Sequence, residues 1–131
     1  MSRLFLSAAT GIVGLHGLVH LMGFVAYWPL AVINELPYKT VLAGGHWNVG
    51  AGGMRAFSVL WLVTALGFLA AAVGMAAHQS WWRPLMLGTL VLSSAVIALD
   101  WAPAFRGAIV NLAILALLIL TARLGGSATV R

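Results

Sequence analysis

Apolar residues run almost unbroken along this chain, in four stretches bounded by charges, tryptophans and prolines: about Leu4 to Trp28, Ala56 to Ala77, Pro84 to Trp101 and Ala104 to Ala122. A helix rising 1.5 Å per residue needs about 20 mostly apolar residues to cross the hydrocarbon core of a bilayer. Each stretch therefore predicts a transmembrane helix. The connections at His78 to Arg83 and Ala102 to Pro103 are short turns, which set consecutive helices antiparallel. One longer loop, residues 30–55, holds Glu35, Pro37, Lys39 and the glycine-rich run from Ala43 to Gly53. The expected fold is all-α: a polytopic membrane protein, one antiparallel four-transmembrane-helix bundle over residues 1–131. Although Arg3 precedes an apolar stretch, that stretch is longer than a secretory signal and no small-x-small cleavage site follows, so the first span is expected to be retained.

The few polar residues inside the spans repeat at helical spacing. On the first helix His16, His20, Gly23 and Tyr27 share one stripe, and Gly11 and Gly14 lie nearly opposite. Thr89, Ser93, Val96 and Asp100 repeat the spacing on the third helix. On the fourth, Asn111 lies about two turns below the surface that carries Asp100, with Arg106 and Gly107 above it. Arg55 opens the second helix at that surface, Trp61 lies inside it, and His46 sits in the loop on the same side. Ionisable groups are costly in a bilayer and are the default functional clue there. Because they fall in one half of it, the expectation is a pocket within the bundle, open toward the loop and floored by His16. Helix packing in lipid depends on small residues, for which Gly11, Gly14, Gly67, Ala71 and Gly74 are the candidates.

Composition excludes other classes. Of 131 residues, 63% are apolar and 7% charged, against roughly 45–50% and about 25% in soluble domains. Nine charged residues cannot coat a water-soluble globule of this length. The net charge of +5 comes from scattered Lys and Arg rather than a clustered basic face, so no nucleic-acid partner is expected. The chain contains no cysteine, which leaves any chemistry to His, Asp, Glu, Arg or a bound group. Arg3, Arg83, Arg123 and Arg131 lie on the side of the termini, and Lys39, Arg55 and Arg106 on the other. That bias favours cytoplasmic termini in the plasma (inner) membrane. Trp28, Trp81, Trp82 and Trp101 mark the interfacial belts, and Tyr27 reads as a belt residue as well.

Two classes of role are open to these residues. His16 and His20, one turn apart, either hold neighbouring helices in register through hydrogen bonds to Ser93 or Asn111, or serve a ligand or a proton transfer with Asp100. Tyr27, His46, Arg55, Trp61, Ser93, Arg106 and Asn111 complete the candidate ligand-binding set. Asp100 reads equally as an interface residue or a partner of Arg106. A metal would draw on His16, His20, His46 and Asp100. The histidine pair lacks the intervening Glu of zinc proteases. Two histidines of one helix cannot be both axial ligands of one haem, and no other span supplies a mid-membrane His.

The run Leu15-His16-Gly17-Leu18-Val19-His20-Leu21-Met22-Gly23-Phe24 resembles the His-Gly-x-x-His-x-x-Gly-Phe signature of a group of small, uncharacterised bacterial four-helix membrane proteins. The similarity extends through Leu60 to Leu62, the Trp81-Trp82 turn, Asp100-Trp101 and Asn111. More distantly the chain is similar to DoxX-like proteins, which implies a place beside membrane redox complexes. It departs from the DoxX pattern at His20, where that pattern has Lys, and at the start of the second helix, where Arg55 stands without a carboxylate. The expected function is a small inner-membrane protein with a polar pocket in one leaflet, acting in or beside a redox or lipid-handling system. The alternatives are a membrane enzyme doing acid/base chemistry on an isoprenoid, a sterol-like lipid or a quinone, and a structural accessory subunit. The expected partners are the bilayer, a lipophilic ligand or quinone, and either further copies of the chain or other membrane subunits. No cofactor is specified.

Overall fold

The computed structural model describes residues 2–127; Met1 and residues 128–131, including the Arg131 used above for orientation, lie outside the described residues. Four helices carry the chain: α1 (Arg3–Tyr27), α2 (Gly50–Ala76), α3 (Trp82–Leu99) and α4 (Trp101–Ser127). All four are long and apolar enough to cross a membrane. Ser2 caps α1, its Oγ accepting from the Phe5 amide at 3.2 Å, which satisfies one of the free N–H groups of the first turn.

Two helices begin three or more residues earlier than the hydrophobic runs predict. The glycine-rich stretch continues into α2, whose start at Gly50 follows a turn closed by Asn48 Oδ1 accepting from the Gly50 amide at 3.0 Å. Burial of Met54 and Phe57 supplies the tertiary packing that carries the helix through glycines of low helix propensity. In α4 the helix starts at Trp101, with Pro103 in its first turn, where a missing N–H costs nothing.

Between α1 and α2 the loop folds into a two-stranded hairpin, β1 (Val41–Leu42) against β2 (Trp47–Asn48), closed by a tight turn at Ala43–Gly45. Leu36 and Leu42 from this segment are buried among residues of the helix ends.

α1 packs most extensively on α2, α2 on α3 and α3 on α4, while α1 and α4 touch only sparsely. The apolar core divides into two clusters. One joins Ala9 and Val13 to Phe68, Met75, Trp82, Met86 and Leu118. The other joins Tyr27 to Leu42, Met54, Trp61, Val96 and Ala104. Trp82 thus lies in the core rather than in a belt, whereas Trp81 and Trp101 are exposed.

The close-packing glycines are only partly those expected. A Cβ on Gly67 would lie 2.4 Å from Thr89 Oγ1, one on Gly74 2.7 Å from the Trp81 ring, and one on Gly23 2.1 Å from the Trp61 indole. Gly11 and Gly14 face open space instead, because they lie on the side of α1 away from the buried histidine stripe.

Candidate functional site: a histidine ring beside a cavity

The α1 stripe of His16, His20, Gly23 and Tyr27 is buried, as is the α3 stripe of Thr89, Ser93, Val96 and Asp100. These stripes form two polar clusters rather than one. In the first, four side chains from three helices close a ring. His20 Nδ1 lies 2.9 Å from the His16 carbonyl oxygen, which only accepts, so the hydrogen sits on Nδ1. The neutral ring then accepts at Nε2, 2.9 Å from Ser93 Oγ, and the Ser93 hydroxyl donates to it. Asn111 Nδ2 donates to Ser93 Oγ at 2.9 Å. Asn111 Oδ1 accepts from His16 Nε2 at 2.8 Å. The chain of donors runs from the His16 ring through Asn111, Ser93 and His20 back to the His16 backbone.

This network leaves one ring nitrogen over. With its hydrogen on Nε2, His16 presents Nδ1 as an acceptor, and no described residue bonds to it. The His16 and His20 rings meet edge to face at a centroid distance of 4.5 Å, and both lie against Phe68, at 4.9 and 5.3 Å. The Trp61 indole lies 5.2 Å from His20 and is backed by Gly23. Trp61 Nε1 is buried and, with Thr10 Oγ1, is one of two buried side-chain polar atoms among the described residues with no hydrogen-bond partner.

The second cluster centres on Asp100, the C-cap of α3. Asp100 is buried and accepts from the Tyr27 hydroxyl at Oδ2 and from Lys39 at Oδ1. Tyr27 is therefore a buried partner of a carboxylate rather than a belt residue, and Asp100 pairs with Lys39 rather than with Arg106. Lys39 Nζ also lies 6.0 Å from the Tyr27 ring centroid. Neither histidine bonds to Asp100; Trp61 and Ile97 belong to the apolar cluster that also includes Tyr27.

Other candidates stand outside both clusters. His46 is exposed beside the hairpin turn. Arg55 is exposed, its guanidinium 5.6 Å from the Trp28 ring centroid. Arg106 is exposed too, 5.9 Å from the Phe105 ring centroid. Among the described residues, no three His, Asp or Glu side chains gather as a metal site would require. The combination of His16, His20, His46 and Asp100 is thus not assembled.

A cavity of about 200 Å³ opens between α1 and α4. His16, His20, Trp61 and Ile97 line its interior, and the exposed Val19, Glu35 and Arg106 stand at its rim. Of the expected site residues it gathers His16, His20, Trp61 and Arg106; Ser93 and Asn111 stand behind it, bonded to the histidines.

Sequence reasoning missed the part played by Lys39, reading it only as a topological charge. Lys39 is the only lysine in a chain with two acidic residues, and a carboxylate at a helix end in so uncharged a sequence demands a cation. Glu35 at the rim carried no such signal. Comparison with protein-family models, curated proteins and solved structures finds no match.

Proposed function

We propose that this is a multi-pass protein of the bacterial inner membrane, its four helices crossing antiparallel with both termini in the cytoplasm, which takes up a lipophilic small molecule from the bilayer into the α1–α4 cavity. One observation carries the reading: a cavity at the loosest helix seam is lined by His16, whose Nδ1 has no protein partner among the described residues. Buried polar groups are nearly always satisfied, and an unpaired one calls for a partner from outside the chain. An opening between two lipid-facing helices admits such a partner sideways from the bilayer. The resemblance of His16–Phe24 to small bacterial four-helix membrane proteins, and more distantly to DoxX-like ones, supports a place beside a redox or lipid-handling system.

The acid/base alternative has less support, because Asp100 is engaged by Lys39 and Tyr27 and bonds to neither histidine. A structural accessory role draws support from the closed ring, in which His20, Ser93 and Asn111 tie three helices together. Native mass spectrometry of protein extracted gently from its membrane separates the two. Uptake predicts a retained lipophilic molecule that is lost when the rim is blocked by Val19→Trp. A bare chain from both proteins, or the same lipid complement on both, would overturn the uptake reading and leave the accessory one.

A further inference from the structure

Among the described residues, the side-chain polar atoms that are both sealed and without a partner are Thr10 Oγ1 and Trp61 Nε1. His16 Nδ1 also bonds to no described residue, yet it is not one of these sealed atoms, although His16 as a whole is only 5% exposed. Its remaining surface opens on the α1–α4 cavity that His16 lines. Gly107 lines the same cavity from α4, and a Cβ there would lie 3.8 Å from His16 Cε1, the carbon bonded to Nδ1. The absent side chain leaves that edge of the imidazole uncovered.

The cavity interior thus offers one open valence, and its sign is fixed. His16 gives its Nε2 hydrogen to Asn111, so Nδ1 carries a lone pair and only accepts. The other polar groups of the inner wall are spent: both His20 nitrogens are bonded, and Trp61 Nε1 is sealed. Buried Leu36, Ile97 and Ala104 make the rest of that wall apolar. A carbonyl or ether oxygen entering there turns a lone pair toward the lone pair of Nδ1 and finds no N–H to replace its water. An ammonium can donate, but it enters without a buried counter-charge, and Glu35 and Arg106 at the rim oppose each other in sign. A hydroxyl donates and carries no charge. At about 200 Å³ the cavity has room for one six-membered ring, since an apolar protein cavity of ~150 Å³ holds benzene.

Building on the proposed uptake of a lipophilic molecule, we propose that the histidine cavity selects an uncharged alcohol over its carbonyl counterpart, the guest hydroxyl donating to His16 Nδ1. The two members of such a pair fill the cavity alike and differ in that one hydrogen bond.

The full-length protein in phosphatidylcholine nanodiscs, with empty nanodiscs as the partition control, tests this with three probes of one size: cyclohexanol, cyclohexanone and cyclohexylammonium. Binding in the cavity is the part lost in Val19→Trp, which blocks the rim. Cyclohexanol is expected to bind there about tenfold more tightly than cyclohexanone, the usual order for one hydrogen bond in a desolvated site. Nitrogen-15 spectra read the contact itself, in protein carrying His46→Gln and His78→Gly, two exposed positions, so that only His16 and His20 remain. Cyclohexanol is expected to move the His16 Nδ1 resonance upfield, as a hydrogen bond to the lone pair does, and cyclohexanone to leave it in place. If alcohol and ketone bind alike and both are lost in Val19→Trp, or if cyclohexanol fills the cavity without moving that resonance, the hydroxyl assignment is wrong and the uptake reading stands. Tighter rim-dependent binding of cyclohexylammonium would overturn the uncharged class in the same way. If no probe shows binding that Val19→Trp removes, both this assignment and the uptake reading fail.

Discussion

At the scale of single residues, the two histidines of one stripe hold opposite tautomers because their acceptors differ. His20 gives its Nδ1 hydrogen to a backbone carbonyl that can only accept, and His16 gives its Nε2 hydrogen to Asn111 Oδ1. Nitrogen-15 spectra of labelled histidine are therefore expected to show an Nδ1–H tautomer for His20 and an Nε2–H tautomer for His16. The same tautomer at both would break the ring as drawn. Asp100 carries the other prediction at this scale. Its carboxylate is fully buried while the Lys39 side chain is 29% exposed, so losing the carboxylate strands a half-buried cation and the Tyr27 hydroxyl. Asp100→Asn is expected to cost about 2 kcal/mol, somewhat below the usual loss for breaking a fully buried pair. Lys39→Met with Asp100→Asn is expected to recover part of that in a thermal or denaturant unfolding series, and strict additivity would dissolve the coupling. The stripes that carry these residues were legible from spacing alone, since a period of 3.6 fixes which positions share a face. Their partition into a histidine ring and an Asp100 cluster was not. It depends on Lys39 reaching Asp100 from a loop, which no helical period encodes.

Helix ends and helix contacts set the next scale. The Gln79 amide returns to the Gly74 carbonyl at 2.9 Å and the His78 amide to Met75 at 3.1 Å, the paired bonds of a Schellman stop to α2. The residue this motif holds left-handed is His78, at φ 55°, where glycine carries no steric penalty. His78→Gly is accordingly expected to stabilise the protein by about 0.5–1 kcal/mol, with a loss of stability counting against the motif. Close helix approach makes a second contrast. Gly67→Ala would drive a methyl into Thr89 and Gly23→Ala one into the Trp61 ring, whereas Gly11→Ala and Gly14→Ala meet nothing. The first two are expected to cost about 1–3 kcal/mol as overpacked contacts; the last two are expected to be neutral or mildly stabilising, because alanine is the better helix former. Equal effects from all four would mean that α1 is rotated from the orientation described. Composition marks small residues as contact candidates, but only the burial of the His16 stripe shows which side of α1 its neighbours occupy. The extension of α2 back to Gly50 was hidden for a related reason: local propensity of Gly50, Gly52 and Gly53 argues for a loop, and burial of Met54 and Phe57 overrides it.

Over the whole molecule, the hydrophobic runs were the most legible feature, and each coincides with a helix long and apolar enough to cross a bilayer. The weak seam was not legible, because nothing along the chain says that α1 spends its contacts on α2 and leaves α4 loosely bridged. On the proposed uptake, that asymmetry is the side at which a lipophilic molecule enters, and the proposed orientation decides which leaflet supplies it. With the termini in the cytoplasm, Lys39, His46, Arg55 and Arg106 lie toward the outer face and the histidine cavity lies in the outer leaflet. The absence of cysteine makes the arrangement directly testable. Single cysteines can be introduced at three exposed positions: Ser2 before α1, Gln79 between α2 and α3, and His46 beside the hairpin turn. In intact cells stripped of their outer barrier, a membrane-impermeant maleimide is expected to label His46→Cys alone, and inside-out vesicles to reverse the pattern. Labelling of Ser2→Cys and Gln79→Cys from outside would invert the protein and move the histidine cavity to the cytoplasmic leaflet. Labelling of Ser2→Cys and Gln79→Cys from opposite sides would exclude an even number of crossings between them, and with it the antiparallel bundle on which the leaflet assignment depends.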